Sequence, residues 1–220
     1  MQYISQWLDR IIFPQETACH LCETWTERGI LCDRCAAALM ACRRKCTLAD
    51  PHPPLSACIA VWRYEAEARQ LIHLLKYEND GYAARMLGEA MAHALCSHPD
   101  ILHSLDVVMP VPLHVRRLEE RGFNQALLLA KAVCDHLQLS LDEDALERTR
   151  FTGRQVGRTR DERFVAMHDA FAVKSTESVR GKQVLLVDDI LTTGATACAC
   201  ASALLRCGAA KVYLLTACRT

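Results

Sequence analysis

Two adjacent carboxylates, Asp188 and Asp189, lie in the run VLLVDDILTTGATACA, residues 184–199. Thr192, Thr193, Gly194, Ala195 and Thr196 follow them. The continuous apolar run before the acids reads as a parallel strand buried on both faces. The small residues after the threonines read as a helix. Ligands of open α/β sheets bind beyond the carboxyl ends of the strands. The first turn of a helix there offers unpaired N–H groups and the positive end of a dipole, which suits phosphate. The threonine hydroxyls add donors, and Gly194 lets the backbone approach closely. Two acids beside such a turn would repel a bare polyphosphate, and the run contains no GxxxxGK[ST] loop. They suit a ligand with both hydroxyls and a phosphate, such as a ribose 5-phosphate, whose vicinal hydroxyls donate to the carboxylates. The plainer alternative is a strand–turn–helix with a surface acid pair.

A second constellation stands near the N-terminus. Cys19-His20-Leu21-Cys22 and Cys32-Asp33-Arg34-Cys35 are two CxxC knuckles separated by nine residues. Four thiolates at that spacing complete a tetrahedral Zn2+ site with no open position, so the role expected is structural. A redox CxxC and chance cysteines in a reducing cytosol are the alternatives. Cys42, Cys46, His52 and Cys58 offer no clean second pair. Cys96, Cys134, Cys198, Cys200, Cys207 and Cys218 fall on apolar patterns and read as small core residues. His73, His93 and His136 lack ligand spacing.

The elements that must position these groups follow from periodicity. Strands are expected at 57–64, 106–112, 181–189 and 210–218. Helices are expected at 65–76, 82–96, 124–137 and 195–206, with Asn124 as an N-cap and Gly208 just past a C-terminus. This alternation predicts an α/β fold, a parallel sheet with helices on both faces. The prolines of DPHPPLSA (50–57) mark a linker. We therefore expect a cysteine-rich module with its linker over 1–55 and a larger domain over 56–220. Of the 220 residues, 51% are apolar, which rules out global disorder. Lys+Arg and Asp+Glu balance at 26 each, so any basic surface must be local. No secretory signal and no bilayer-length apolar run is visible, so no membrane insertion is expected. Thirteen cysteines, an odd number, fit a reducing cytoplasm better than a disulfide framework.

LLVDDILTTGAT resembles the phosphoribosyl-pyrophosphate (PRPP) signature of type I phosphoribosyltransferases. IHLLKY (72–77), DVVMPVPL (106–113), RRLEERGFNQALLLAKAV (116–133), RTRFTGRQ (148–155) and ERFVAMHDAFAV (162–173) resemble, in order, the ComF/GntX group of phosphoribosyltransferase-like proteins. That group carries an N-terminal cysteine module. The resemblance implies a type I phosphoribosyltransferase-like domain behind a small zinc-knuckle module. It implies that Asp188 and Asp189 hold the ribose hydroxyls and that Thr192 to Thr196 hold the 5-phosphate. Pro112 and Leu113 would cup a pyrophosphate, with Arg116, Arg117 and Arg121 supplying charge and Mg2+ accompanying PRPP. Lys76 matches a family position and either contacts the ligand or caps a helix C-terminus. Arg148, Arg150, Arg154, Arg158, Arg160 and Arg163 correspond to a flap over the ligand, or could track a DNA backbone. Gln155 matches the family without an assigned chemistry. Trp7, Trp25 and Trp62 are too dispersed for a base-stacking platform, and Phe123 and Phe151 are the nearer candidates.

The function implied is binding of PRPP or a related ribose phosphate by a protein that handles incoming single-stranded DNA during natural transformation, together with the DNA-uptake machinery. The alternative is an active phosphoribosyltransferase that releases pyrophosphate on an unidentified acceptor in nucleotide metabolism or salvage. Assembly as a homo-oligomer is left open.

Overall fold

A computed structural model describes residues 17–26, 31–43, 53–77, 81–149 and 170–220. A two-strand hairpin, β1 (Thr17–Ala18) and β2 (Trp25–Thr26), leads to helix α1 (Asp33–Ala41). Strand β3 (Ala57–Arg63) follows, then α2 (Ala66–Tyr77), α3 (Gly81–Cys96) and the short α4 (Pro99–Leu102). Next come β4 (Val107–Pro110), α5 (Val115–Arg121) and α6 (Gln125–Leu137). A hairpin of β5 (Leu146–Arg148) and β6 (Phe171–Val173) precedes β7 (Gln183–Leu191), α7 (Ala195–Arg206) and β8 (Lys211–Arg219).

The four long-range strands form one parallel sheet in the order β3-β8-β7-β4. Its central strands are apolar on both faces because both faces are covered. Leu185, Val187 and Leu215 point into one core with α2, α3 and α6. Val184, Leu186 and Leu214 point into a second core with α7. The expected α/β architecture is the one observed. Leu87, Met91 and Leu95 make the buried stripe of α3, while Met86 lies at its margin. Asn124 caps α6 as expected, its Oδ1 accepting from Ala126 N at 3.1 Å. Gly208 takes a positive φ of 92° behind α7.

Two expectations shift. The strand carrying the acids runs to Leu191 rather than ending at 189, because β8 continues alongside and pairs Ile190 with Cys218 and Leu191 with Arg219. Asp188 and Asp189 are therefore strand residues, and their side chains alternate across the sheet. Cys96 is exposed at the last residue of α3 and Cys207 is half-buried behind α7. Cys134, Cys198, Cys200 and Cys218 are buried as expected.

The cysteine hairpin is tied to the sheet. Leu39 of α1 and the following Cys42 belong to the core of α2 and β3. Arg63 N donates to the Cys42 carbonyl at 3.0 Å. No helix among the described residues is long and apolar enough to cross a membrane. The expectations for Trp7, Cys46, His52, Arg150, Phe151, Arg154, Gln155, Arg158, Arg160 and Arg163 lie outside the described residues.

Candidate functional site: a cleft at the first turn of α7

The turn after β7 is built by Gly194. It sits at φ 76° in the left-handed region, where a side chain is disfavoured, and its carbonyl accepts from Cys198 N at 2.8 Å to start α7. Having no side chain, Gly194 cannot cap the helix, and Thr193 Oγ1 only approaches Ala195 N at 3.4 Å. First-turn N–H groups are thus left facing outward beside exposed Thr192 and Thr193. They border a small, open cleft lined by Asp188, Ile190, Leu191, Thr192, Gly194 and Ala195 through Ala197, with Leu214 and Thr216 beneath. Donors at the helix end and a carboxylate at the strand end give the cleft one face suited to an anion and one suited to hydroxyl donors.

The two acids differ in placement. Asp188 lines the cleft, and its Oδ1 accepts from Asp189 N at 2.8 Å. Burial, then the charge of Asp189, push the Asp188 carboxyl well above the usual carboxylate range; the Lys76 ammonium works against them. Asp189 is 5% exposed. Its Oδ1 accepts from Ile190 N at 2.9 Å and its Oδ2 meets Lys76 Nζ at 2.5 Å. Lys76 comes from the last turn of α2, on the sheet face opposite α7. Of its two expected roles, ligand contact or helix cap, the geometry adds a third, as counter-ion to Asp189. With its oxygens so engaged, Asp189 does not fit as a direct ligand of a divalent cation; Asp188 does.

The loop Val111 to His114 follows β4. Val111 N donates to the Val187 carbonyl at 2.9 Å, which sets the loop beside Asp188. Asn124 Nδ2 donates to the Val111 carbonyl at 3.1 Å. Pro112 and Leu113 follow this doubly anchored residue and are half-buried. Arg121 is turned away from a free role: its Nη1 donates to Gln125 Oε1 at 2.5 Å and its guanidinium lies 5.6 Å from the Tyr77 ring centre. Arg116 and Arg117 lie on exposed α5. Arg148 stacks on Phe171 at 5.4 Å. Burial pulls its guanidinium below the usual range, with Arg117 acting in the same direction and Asp188 against it.

At the N-terminal end, the sulfurs of Cys19, Cys22, Cys32 and Cys35 all lie within 4.8 Å of one another. Cys22 and Cys32 are 3.6 Å apart. A tetrahedron with metal–sulfur bonds of about 2.3 Å has sulfur–sulfur edges of about 3.8 Å, so the cluster fits a four-thiolate metal site. The Thr24 hydroxyl and backbone pull the Cys22 thiol down to about 5. Burial pushes Cys35 up, so its proton is one a metal must displace. Cys42 and Cys58 are buried separately and join no such cluster among the described residues.

The family described as "Phosphoribosyl transferase domain" matches residues 124–220. "DNA utilization protein YhgH" of Escherichia coli K12 is 32% identical over 203 residues, covering 89% of this chain and 80% of that protein. This chain belongs to the ComF family. "Competence protein F" of Haemophilus influenzae is 27% identical, over 81% of this chain and 80% of its own length. "Competence protein ComFC" of Bacillus subtilis is 26% identical, over 96% of this chain and 87% of its own. Among solved structures, the glutamine PRPP amidotransferase of B. subtilis is 19% identical with a TM-score of 0.40, over 60% of this chain and 25% of that one.

Three residues of this ComF-family chain have no local signal that assigns them a place at the site, although Gln125 falls within the family-like run 116–133. His114 is buried as the cap of α5, its Nδ1 accepting from Arg116 N at 3.2 Å. Gln125 is buried under Arg121. Thr216 reaches the cleft from β8, twenty residues beyond the motif, and strand pairing alone sets it opposite Asp188.

Proposed function

We propose that this ComF-family protein binds PRPP or a related ribose phosphate in the cleft under α7 and acts in handling incoming single-stranded DNA during natural transformation. The observation that carries the ligand reading is the junction of Asp188 with the uncapped first turn of α7 in one cleft. The helix end accepts the 5-phosphate, and Thr192, Thr193 and Thr196 supply hydroxyls. Asp188 accepts from a ribose hydroxyl. Asp189, paired with Lys76, fixes the strand backbone that carries Asp188 and reaches the ligand only by exchanging that partner. A pyrophosphate on the ligand extends toward Pro112 and Leu113. Asp188 is the residue that would hold a Mg2+ accompanying PRPP, and the ion would supply charge that offsets the pyrophosphate. The DNA role is supported by the relatives called DNA utilization and competence proteins. A cysteine-rich zinc-binding module with its linker over 1–55 and a phosphoribosyltransferase-like domain over 56–220 are proposed as its two parts.

The test is thermal stability with and without PRPP and Mg2+, beside Asp188→Ala. A ligand that binds the folded state alone raises the melting temperature by mass action. The parent should gain several degrees at saturating ligand and the variant none. Equal shifts would remove Asp188 from the site, and no shift in the parent would refute PRPP binding.

A further inference from the structure

Thr216 lies in the middle of β8 and is fully buried, yet its hydroxyl has no hydrogen-bond partner among the described residues. Buried polar groups are nearly always paired, and an orphan is costly to keep. Packing gives no reason for it, since valine has almost the same shape. Its neighbours on the same strand, Leu214 and Leu215, are apolar. Register sets Thr216 directly opposite Asp188, and both line the cleft capped by the first turn of α7.

We propose that Thr216 is a ligand-binding residue, one that distinguishes a sugar phosphate from bare phosphate. The outer end of the cleft, with its N–H groups and threonine hydroxyls, is a donor surface matched to phosphate. The inner end holds a carboxylate and a hydroxyl side by side. A ligand hydroxyl satisfies both at once: it donates to Asp188 and accepts from Thr216. Inorganic phosphate, bound at the helix end, does not reach that pair. The inference rests on the ribose-phosphate reading above and adds the residue by which the ribose is sensed.

The experiment compares the parent, Thr216→Val and Thr216→Ser in thermal-shift titrations with ribose 5-phosphate and with inorganic phosphate. The parent should bind ribose 5-phosphate more tightly than inorganic phosphate. Thr216→Val should weaken ribose 5-phosphate about tenfold, toward the level of phosphate, and leave phosphate binding unchanged. Thr216→Ser should keep the preference. Without ligand, Thr216→Val should melt no lower than the parent, because it removes an unsatisfied group. If Thr216→Val binds ribose 5-phosphate as the parent does, the role of Thr216 is overturned while the ribose-phosphate reading stands. If the parent itself shows no preference over phosphate, that reading fails and the inference with it. A ligand-free Thr216→Val that melts well below the parent would make the hydroxyl structural and overturn the proposal.

Discussion

Asp188 and Asp189 are chemically identical neighbours with different environments, and the difference comes from strand alternation. Asp189 faces α2 and is neutralised by Lys76 at 2.5 Å with little solvent at either group. Removing one member of a buried pair strands the other's charge, at a typical cost of roughly 3 kcal/mol. Lys76→Met should therefore lower the unfolding free energy by about that amount in urea denaturation, and adding Asp189→Asn should recover most of it. Asp188 behaves in the opposite way. Its carboxyl is held above the ordinary value of 3.8 by burial and by Asp189, so the folded chain binds that proton more tightly than the unfolded one. The stability this contributes is complete below about pH 4 and is lost as pH rises through the raised pKa. Asp188→Asn should be the more stable protein at neutral pH, with its advantage shrinking toward acid. Unfolding titrations of both proteins between pH 4 and 8 would show parallel curves if the carboxyl were not perturbed.

At the scale of elements, the site depends on how closely the helices behind the sheet approach. Gly88 of α3 faces α6, where an added Cβ would fall 2.3 Å from Ala132 Cβ. Gly88→Ala should force these helices apart and cost about 1–3 kcal/mol, measured by chemical denaturation. α6 matters to the site because its cap, Asn124, also holds the Val111 carbonyl and so the Pro112–Leu113 loop. The cap was legible in the sequence, since Asn before an apolar-periodic run is a local signal. The second bond was not, because it joins residues 13 apart through the packing of α6 on β4. The end of β7 was illegible for the same reason: Ile190 and Leu191 stay extended because β8 lies alongside them, a fact absent from their own neighbourhood.

At the scale of the whole molecule, the cysteine knuckle and the sheet domain share a boundary through Leu39, Cys42, Trp62 and Arg63. Metal binding to four thiolates would contribute directly to folding of the hairpin and α1. A strong chelator should raise amide exchange over residues 17–26 and 31–41 while β7 and β8 stay protected. It should also lower the melting temperature of the remaining domain, because Leu39 leaves the core. Retained protection over 17–26 and 31–41 after complete metal removal would contradict a structural metal.

The sequence by itself determined the motifs and the kind of chemistry they allow. Local order suffices for two CxxC knuckles, an apolar strand running into acids, and a threonine-glycine turn opening a helix, because each is a contiguous segment whose backbone conformation is dictated nearby. The alternation of strand and helix likewise determined a parallel α/β sheet. Tertiary structure alone decided which acid meets the cleft, what neutralises the other, and which distant residue completes the lining. Lys76 lies 113 positions from Asp189, and Thr216 lies 28 positions from Asp188. Their roles arise from sheet register and from the face on which each helix packs, and both are properties of the assembled fold rather than of any one stretch of chain.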